Sequence, residues 1–393
     1  MSLHEWLNLL LRWTHFIAGI AWIGSSFYFV WLDHHLNAPS PAREGVVGEI
    51  WMVHSGGFYQ VERRRLAPGQ VPASLHWFKW EAMITWITGM LLLAVVYYFT
   101  RGVYLIDLTA ARLSVGAAIA LGIGTIVVSW FVYDAIWRSP LARSGAIATA
   151  LSLALLTTAA YVLCRELAGR AAFLHVGALL GTIMVANVWV RILPAQQDMI
   201  DATRAGRVAD YSRGDDAKRR SMHNSYITFP VLFLMLSPHF PQTSAGRWPW
   251  LVLLLLVAAG MAARHVMIGQ GPRRVWAAVP GALALIAVAV LTSPPGMHAM
   301  SAQAAASPPV PFAAVRNIVT ARCVTCHSTS PAFPTFGPRP GGISFEDDAA
   351  IRAHADRILV RVVETKTMPL GNMTAMTEEE RETIGRWVLQ GAK

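Results

Sequence analysis

Long uncharged apolar runs, separated by short charged connections, restrict the fold of this chain more than any other feature. A helix needs about twenty apolar residues to cross a hydrocarbon layer of about 30 Å. Such runs fall at 6–32, 77–99, 113–137, 145–163, 172–193, 223–240, 247–264 and 275–293, which predicts eight transmembrane helices. The sixth is short and carries Pro230. Of the 393 residues, 54% are apolar and 14% charged, a balance that a water-soluble domain could not hide from solvent. The first run is too long for a signal-peptide core and has Glu5 before it and Arg12 inside it, so it reads as a retained helix.

A formal charge of +10 follows from topology, and no nucleic-acid partner is expected because no basic-aromatic module is present. The first, third, fifth and seventh connections, with their edges, hold fifteen Lys and Arg residues, against five in the others. That bias puts the odd connections in the cytoplasm. The N-terminus then lies outside, and eight crossings return the chain to the outside at Pro294.

Beyond the last run, 294–311 is a Pro, Ala and Ser stretch without helical or strand period, which predicts an extended tether. It divides an integral membrane domain, 1–293, from a C-terminal domain, 312–393. The second domain opens with apolar residues at helical spacing, Phe312, Val315, Ile318 and Val319, and then reads Cys323-Val-Thr-Cys326-His327. This is the attachment pattern of a covalent c-type haem: two thioethers anchor the porphyrin and the adjacent His ligates the iron. Helices are expected over 349–364 and from Thr377, where a capping box with Glu380 starts the last one. Between them, Pro369 keeps Met368 out of the helical region, which makes Met368 the expected axial ligand, with Met373 and Met376 as competitors. A His/Met haem has a raised potential and accepts electrons. The fold class is therefore all-α: a polytopic eight-helix transmembrane bundle fused to a class I-like cytochrome c domain. Haem of this type is attached in the bacterial periplasm, so the chain is expected to be multi-pass in the inner membrane, embedded in the lipid bilayer. Its N-terminus and cytochrome domain would be periplasmic.

Ionisable and amide side chains inside membrane helices are costly and mark functional positions. Glu81, Asp134, Asn187, Arg191, His223 and Asn224 all fall near the inner ends of their helices, with Tyr133, Tyr226, Asp33, His34, His35, Arg264 and His265 at similar depth. Together they predict a polar pocket for a planar, hydrogen-bonding anion: Arg191 for charge, Asn187 and Asn224 for amide edges, and a His or carboxylate, among His223, Glu81 and Asp134, for proton removal. His15 and His175 lie at matching depth in the outer halves of their helices, a candidate pair for a b-type haem that would relay electrons across the bilayer.

The opening His15-Phe-Ile-Ala-Gly-Ile-Ala-Trp-Ile-Gly24, the segment Met222-His-Asn-Ser-Tyr-Ile-Thr-Phe-Pro230, the eight-run plan and the tail with Thr367-Met368-Pro369 together resemble the bacterial membrane-bound, cytochrome-c-type urate oxidases, also called urate hydroxylases. The resemblance implies an oxidoreductase of purine catabolism that converts urate to 5-hydroxyisourate. It also implies electrons passing through cytochrome c to a respiratory acceptor, such as a cytochrome oxidase or a soluble cytochrome c, and not to oxygen. A membrane-anchored, quinol-linked electron-transfer cytochrome without urate chemistry is the alternative. A transporter fused to a redox sensor would require inverted repeats, and helices one to four show no clear similarity to five to eight.

Overall fold

The computed structural model describes residues 3–108, 111–210, 212–293, 302, 304–333 and 337–393. Eight long helices form the first domain: α1 (Leu3–His35), α2 (Trp80–Tyr98), α3 (Val115–Arg138), α4 (Gly145–Glu166), α5 (Gly169–Arg204), α6 (Ser212–Leu236), α7 (Pro249–Ile268) and α8 (Pro272–Thr292). Among the described residues, seven are long and apolar enough to cross a membrane, and α6 is not. Its first half carries Arg213, Asp215, Asp216, Lys218, Arg219 and Arg220, which corrects the expected span of 223–240. Yet α6 runs antiparallel to both neighbours through the bundle. Leu234 meets Gly177 of α5 while Asn224 reaches Asn187, and Pro230 meets Gly260 of α7 while Ser225 binds Arg264. Among the described residues, eight long helices therefore traverse the bundle.

The bundle is built around α5, whose Ala171, Phe173, Val176, Leu179 and Ile183 are buried against α2, α3, α4 and α6. Two breaks in regular winding matter here. Pro194 cannot donate to the helix ladder and its ring crowds the preceding turn. The turn before it, Asn187–Ile192, is widened to a π-helix, the kind of bulge that often re-aims side chains at functional sites. Where Pro230 bends α6, Gly260 lets α7 approach, since a Cβ there would lie 2.9 Å from the proline Cδ. Outward-facing side chains are apolar, among them Phe16, Ile20, Phe131, Leu283, Ile286 and Val290.

The all-α expectation needs one correction. In the α1–α2 connection, β1 (Val46–His54) and β2 (Gly57–Arg64) form an antiparallel hairpin with Trp51 opposite Gln60 and Val53 opposite Phe58. Ser55 and Gly56 turn with positive φ, the left-handed geometry that a tight hairpin requires.

The tail folds around its own core of Val315, Val319, Ile351, Ile358, Val362, Met376, Ile384 and Trp387. Its helices are α9 (Phe312–Arg322), α10 (348–364, interrupted at His354) and α11 (Glu378–Leu389). As the sequence suggests, α9 packs on α11, with Phe312 and Trp387 rings 5.7 Å apart. Residues 294–301 and 303 of the tether lie outside the described residues. Residues 304–306 are helical and not extended: three alanines favour the turn, and Gln390 donates to the Ala304 carbonyl at 2.8 Å. The tail sits on the face that carries the N-terminus, where the Leu108 amide donates to Gly371 O at 3.2 Å.

The capping box is formed, and Arg322 reaches Glu380 at 3.0 Å. Burial pushes the Glu380 pKa up, but Arg322 and the Thr377 amide outweigh it and hold the carboxyl below its ordinary range. A depressed carboxyl stabilises the fold above its unfolded pKa, and the contribution is lost as pH falls through the folded one. The protection factors of α11 amides, with the intrinsic exchange rate divided out, should therefore fall below about pH 4.3, and in the Glu380→Gln variant they should depend less on acid pH.

Candidate functional site

Helices α3, α5 and α6 bring a closed polar network together at the end of the bundle opposite the tail. The π-turn aims Asn187 inward. It donates to Asn224 Oδ1 at 2.9 Å and to Tyr133 Oη at 3.2 Å, and Tyr133 Oη in turn shares a hydrogen bond with His223 Nδ1 at 2.7 Å. Asn224 donates to Met184 O at 2.9 Å, and His223 packs on Trp137 with ring centroids 4.1 Å apart. Asp134 accepts from Arg191 through both oxygens, from Nε at 2.8 Å, and also from Arg220 Nη2 at 3.1 Å.

The convergence inferred from depth is thus present for five of the six expected residues, but their roles change. Arg191 is not the free positive charge of a pocket, because Asp134 takes its guanidinium in a two-pronged ion pair. His223 is held by Tyr133, and Asn187 has its donors and acceptor engaged. Glu81 stands apart at the start of α2, with Oε2 buried and without a hydrogen-bond partner. Arg220, fully buried at the centre of the network, went unrecognised because it fell outside the expected sixth run. The true start of α6 at Ser212 puts it one turn from Asn224, on the same face.

Beside the network lies a cleft of about 450 Å³ between α1, α5, α6 and the 76–78 segment. This is a volume suited to a small ligand. Asn224 is the one expected catalytic residue that lines it. Asp33 and His34 at the end of α1, expected at similar depth, line it too, and the rest are new: His76 and Trp77 before α2, Gln196 on α5, and Lys218 and Ser221 on α6. Trp22, Trp77 and Phe78 supply flat apolar walls. Lys218 lies 3.9 Å from Asp33, which also accepts from Arg63 of the hairpin at 3.2 Å. His35 turns away, its Nδ1 donating to Trp31 O at 2.7 Å, and His265 bonds Tyr226 at 2.7 Å.

His15 and His175 are each engaged within the protein. His15 Nδ1 bonds Thr85 O at 2.8 Å. His175 bonds Ala171 O at 2.7 Å through Nδ1 and Tyr98 Oη at 2.9 Å through Nε2. Both nitrogens of His175 are thus engaged within the bundle.

In the tail, the Cys-X-X-Cys-His segment wraps as a tight turn at the end of α9, the His327 amide donating to Cys323 O at 2.8 Å. His327 Nδ1 bonds Ile343 O at 3.2 Å, which leaves Nε2 unengaged. Burial lowers the His327 pKa against the opposing pull of that carbonyl, and burial pushes the Cys323 thiol up to about 12. Met368 is half-buried against the tail core, its carbonyl accepting from Arg381 at 2.7 Å, whereas Met376 is a core residue at 3% exposure.

Apolar helices facing outward, around an ion-paired interior with a ligand-sized cleft, define a fold compatible with a multi-pass membrane protein that handles a small polar ligand. The family model described as urate oxidase N-terminal matches residues 1–293, the whole bundle up to the end of α8. The chain belongs to that family. No curated protein and no solved structure matches it.

Proposed function

We propose that this protein oxidises urate to 5-hydroxyisourate in the α1–α5–α6 cleft and delivers the electrons to a c-type haem held by the tail. From there they would pass to a respiratory acceptor such as a cytochrome oxidase or soluble cytochrome c. The observation that carries this reading is the family match over 1–293 joined to a Cys-X-X-Cys-His tail on the opposite face from the cleft. The positive-inside bias supports a cytoplasmic cleft end and a periplasmic tail in a bacterial inner membrane.

Overall, urate and one water give 5-hydroxyisourate, two protons and two electrons. Lys218, at the mouth, would attract the urate anion. His34 and His76 are imidazoles placed to take a proton. Asn224 and Gln196 can meet amide edges, while Trp22, Trp77 and Phe78 face the purine plane. The Asp134, Arg191, Arg220 and Asn187 network holds Asn224 in place and is a positioning device.

The tail residues fit the group expected of them: two thiols on one turn, His327 oriented by Ile343 with Nε2 available for iron, and Met368 half-buried across the same core. Bound there, the haem would supply a one-electron acceptor outside the bilayer. From Asn187 to His175 is twelve residues along α5, about 18 Å at 1.5 Å per residue. Aromatic side chains lie along that route: Trp86 donates to Thr182 at 3.0 Å, and Tyr98 bonds His175.

Mixing purified protein with urate without oxygen should bring up the reduced-haem band and form no peroxide. Reduction by a quinol and not by urate would overturn the reading. Lys218→Gln should raise KM about tenfold with kcat little changed, equivalent to losing about 1.4 kcal/mol of charge-assisted contact, as read from initial rates of haem reduction.

A further inference from the structure

At the end of the bundle opposite the tail, the α3–α4 connection and α6 enclose a shallow recess of about 360 Å³. Arg138 ends α3, Arg143 ends the short turn Pro140–Arg143, and Arg219 enters from α6. Three guanidinium groups thus line the recess, and among the described residues no acid does. Asp216 pairs with Arg219, and Asp134, one turn before Arg138, is taken by Arg191 and Arg220. Arg138 and Arg143 are exposed and form no ion pair with a described residue. Trp137 is the buried wall behind them. Its ring lies 5.6 Å from the Arg219 guanidinium and 4.1 Å from the His223 ring, and its Nε1 donates to Ser152 Oγ at 3.0 Å.

The recess continues into the outward-facing surface of the bundle. Val127 and Phe131 stand three and two helical turns before Arg138, so all three share one side of α3. Both are exposed, as are Leu141 on the turn and Ile147 at the start of α4. From Arg138 to Val127 is about 16 Å along the axis, close to half of a hydrocarbon layer of about 30 Å. The arginines therefore sit at the level of lipid head groups, and the stripe below them spans one leaflet of acyl chains.

We infer that Arg138, Arg143 and Arg219 form a binding site for the phosphate of an anionic phospholipid, with an acyl chain lying along Val127 and Phe131. Guanidinium groups meet phosphate oxygens through paired hydrogen bonds, and basic pockets between membrane helices are where anionic head groups lodge. Trp137 joins the recess to His223, and His223 leads through Tyr133 to Asn187. A lipid seated there braces the network that holds Asn224 at the cleft. The site is independent of the urate and haem readings.

The test titrates purified, delipidated full-length protein in neutral detergent with phosphatidylglycerol, with phosphatidylcholine of the same acyl chains, and with inorganic phosphate. Bound lipid is counted by native mass spectrometry and the unfolding temperature is recorded alongside. Phosphatidylglycerol should saturate a site and raise the unfolding temperature, and the other two should do neither. Replacing Arg138 and Arg143 together by Gln should weaken phosphatidylglycerol binding about thirtyfold. The lipid-free unfolding temperature should not change, since neither residue is paired. Arg273→Gln combined with Arg274→Gln, which removes as much charge from the same end of the bundle, should leave the affinity as it is. Equal binding of phosphatidylcholine, an effect of inorganic phosphate as large as that of the lipid, or undiminished affinity in the Arg138 and Arg143 double variant overturns the site.

Discussion

Asp134→Ala should be the most destabilising single substitution in the bundle. Its carboxylate is the one acid shared by Arg191 and Arg220, with hydrogen bonds of 2.8 and 3.1 Å, and Arg220 has no exposed surface. Removing one partner of a buried ion pair costs about 3–5 kcal/mol because the remaining charge is stranded out of water. Here two guanidinium groups would be stranded together, and Asn187, which accepts from Arg220 at 3.4 Å, would lose its anchor. The ratio of folded to unfolded protein should fall by about two to four orders of magnitude, with a lower unfolding temperature in detergent. Arg191→Gln should cost much less, since Arg191 is 24% exposed and Arg220 would still neutralise Asp134. Equal stability of Asp134→Ala and wild type would show that the network is not structural.

The same residues show how far the sequence could be read. Hydrocarbon thickness fixes helix length, so the apolar runs located every long helix but one, with α5 continuing to Arg204 beyond the expected end at 193. The exception is α6, where an average over a window hides that one face carries Arg220, His223 and Asn224 toward α3 and α5 while the apolar part begins only at Ser225. Depth along a helix was legible and brought Asp134, Asn187 and Arg191 to one level. The direction of each side chain was not, so a mutual ion pair looked like a vacant anion site. Lys218 and His76 were overlooked because they lie outside the apolar runs, and Trp77 because it reads as the apolar first residue of the second run, although the cleft is built from them. The hairpin had its own signal, strand-forming residues on both sides of Ser55-Gly56. In the tail, spacing defined the thiols and His327 and the capping box marked α11, but only packing separates Met376, sealed in the core, from Met368, which is not.

Replacing Cys323 and Cys326 together by Ser should abolish urate-driven reduction while leaving urate binding intact. A hydroxyl cannot form the thioether that holds the porphyrin, so the double variant should lack covalent haem on a denaturing gel. The cleft would be untouched, because its nearest network residue, Asn187, lies about 18 Å along α5 from His175 at the tail-facing end, and no cleft-lining residue belongs to the tail. Calorimetric titration of the solubilised variant with urate should therefore give the wild-type Kd, with no haem band to reduce under anaerobic mixing. Continued urate consumption by the variant would mean that the acceptor is not in the tail. Loss of binding would mean that substrate sits at the seam between tail and bundle and not in the cleft. The expected pairing of preserved affinity with absent turnover follows from placing substrate and acceptor on opposite faces. Only electrons then need to pass between the two domains, and the purine never has to cross the bilayer.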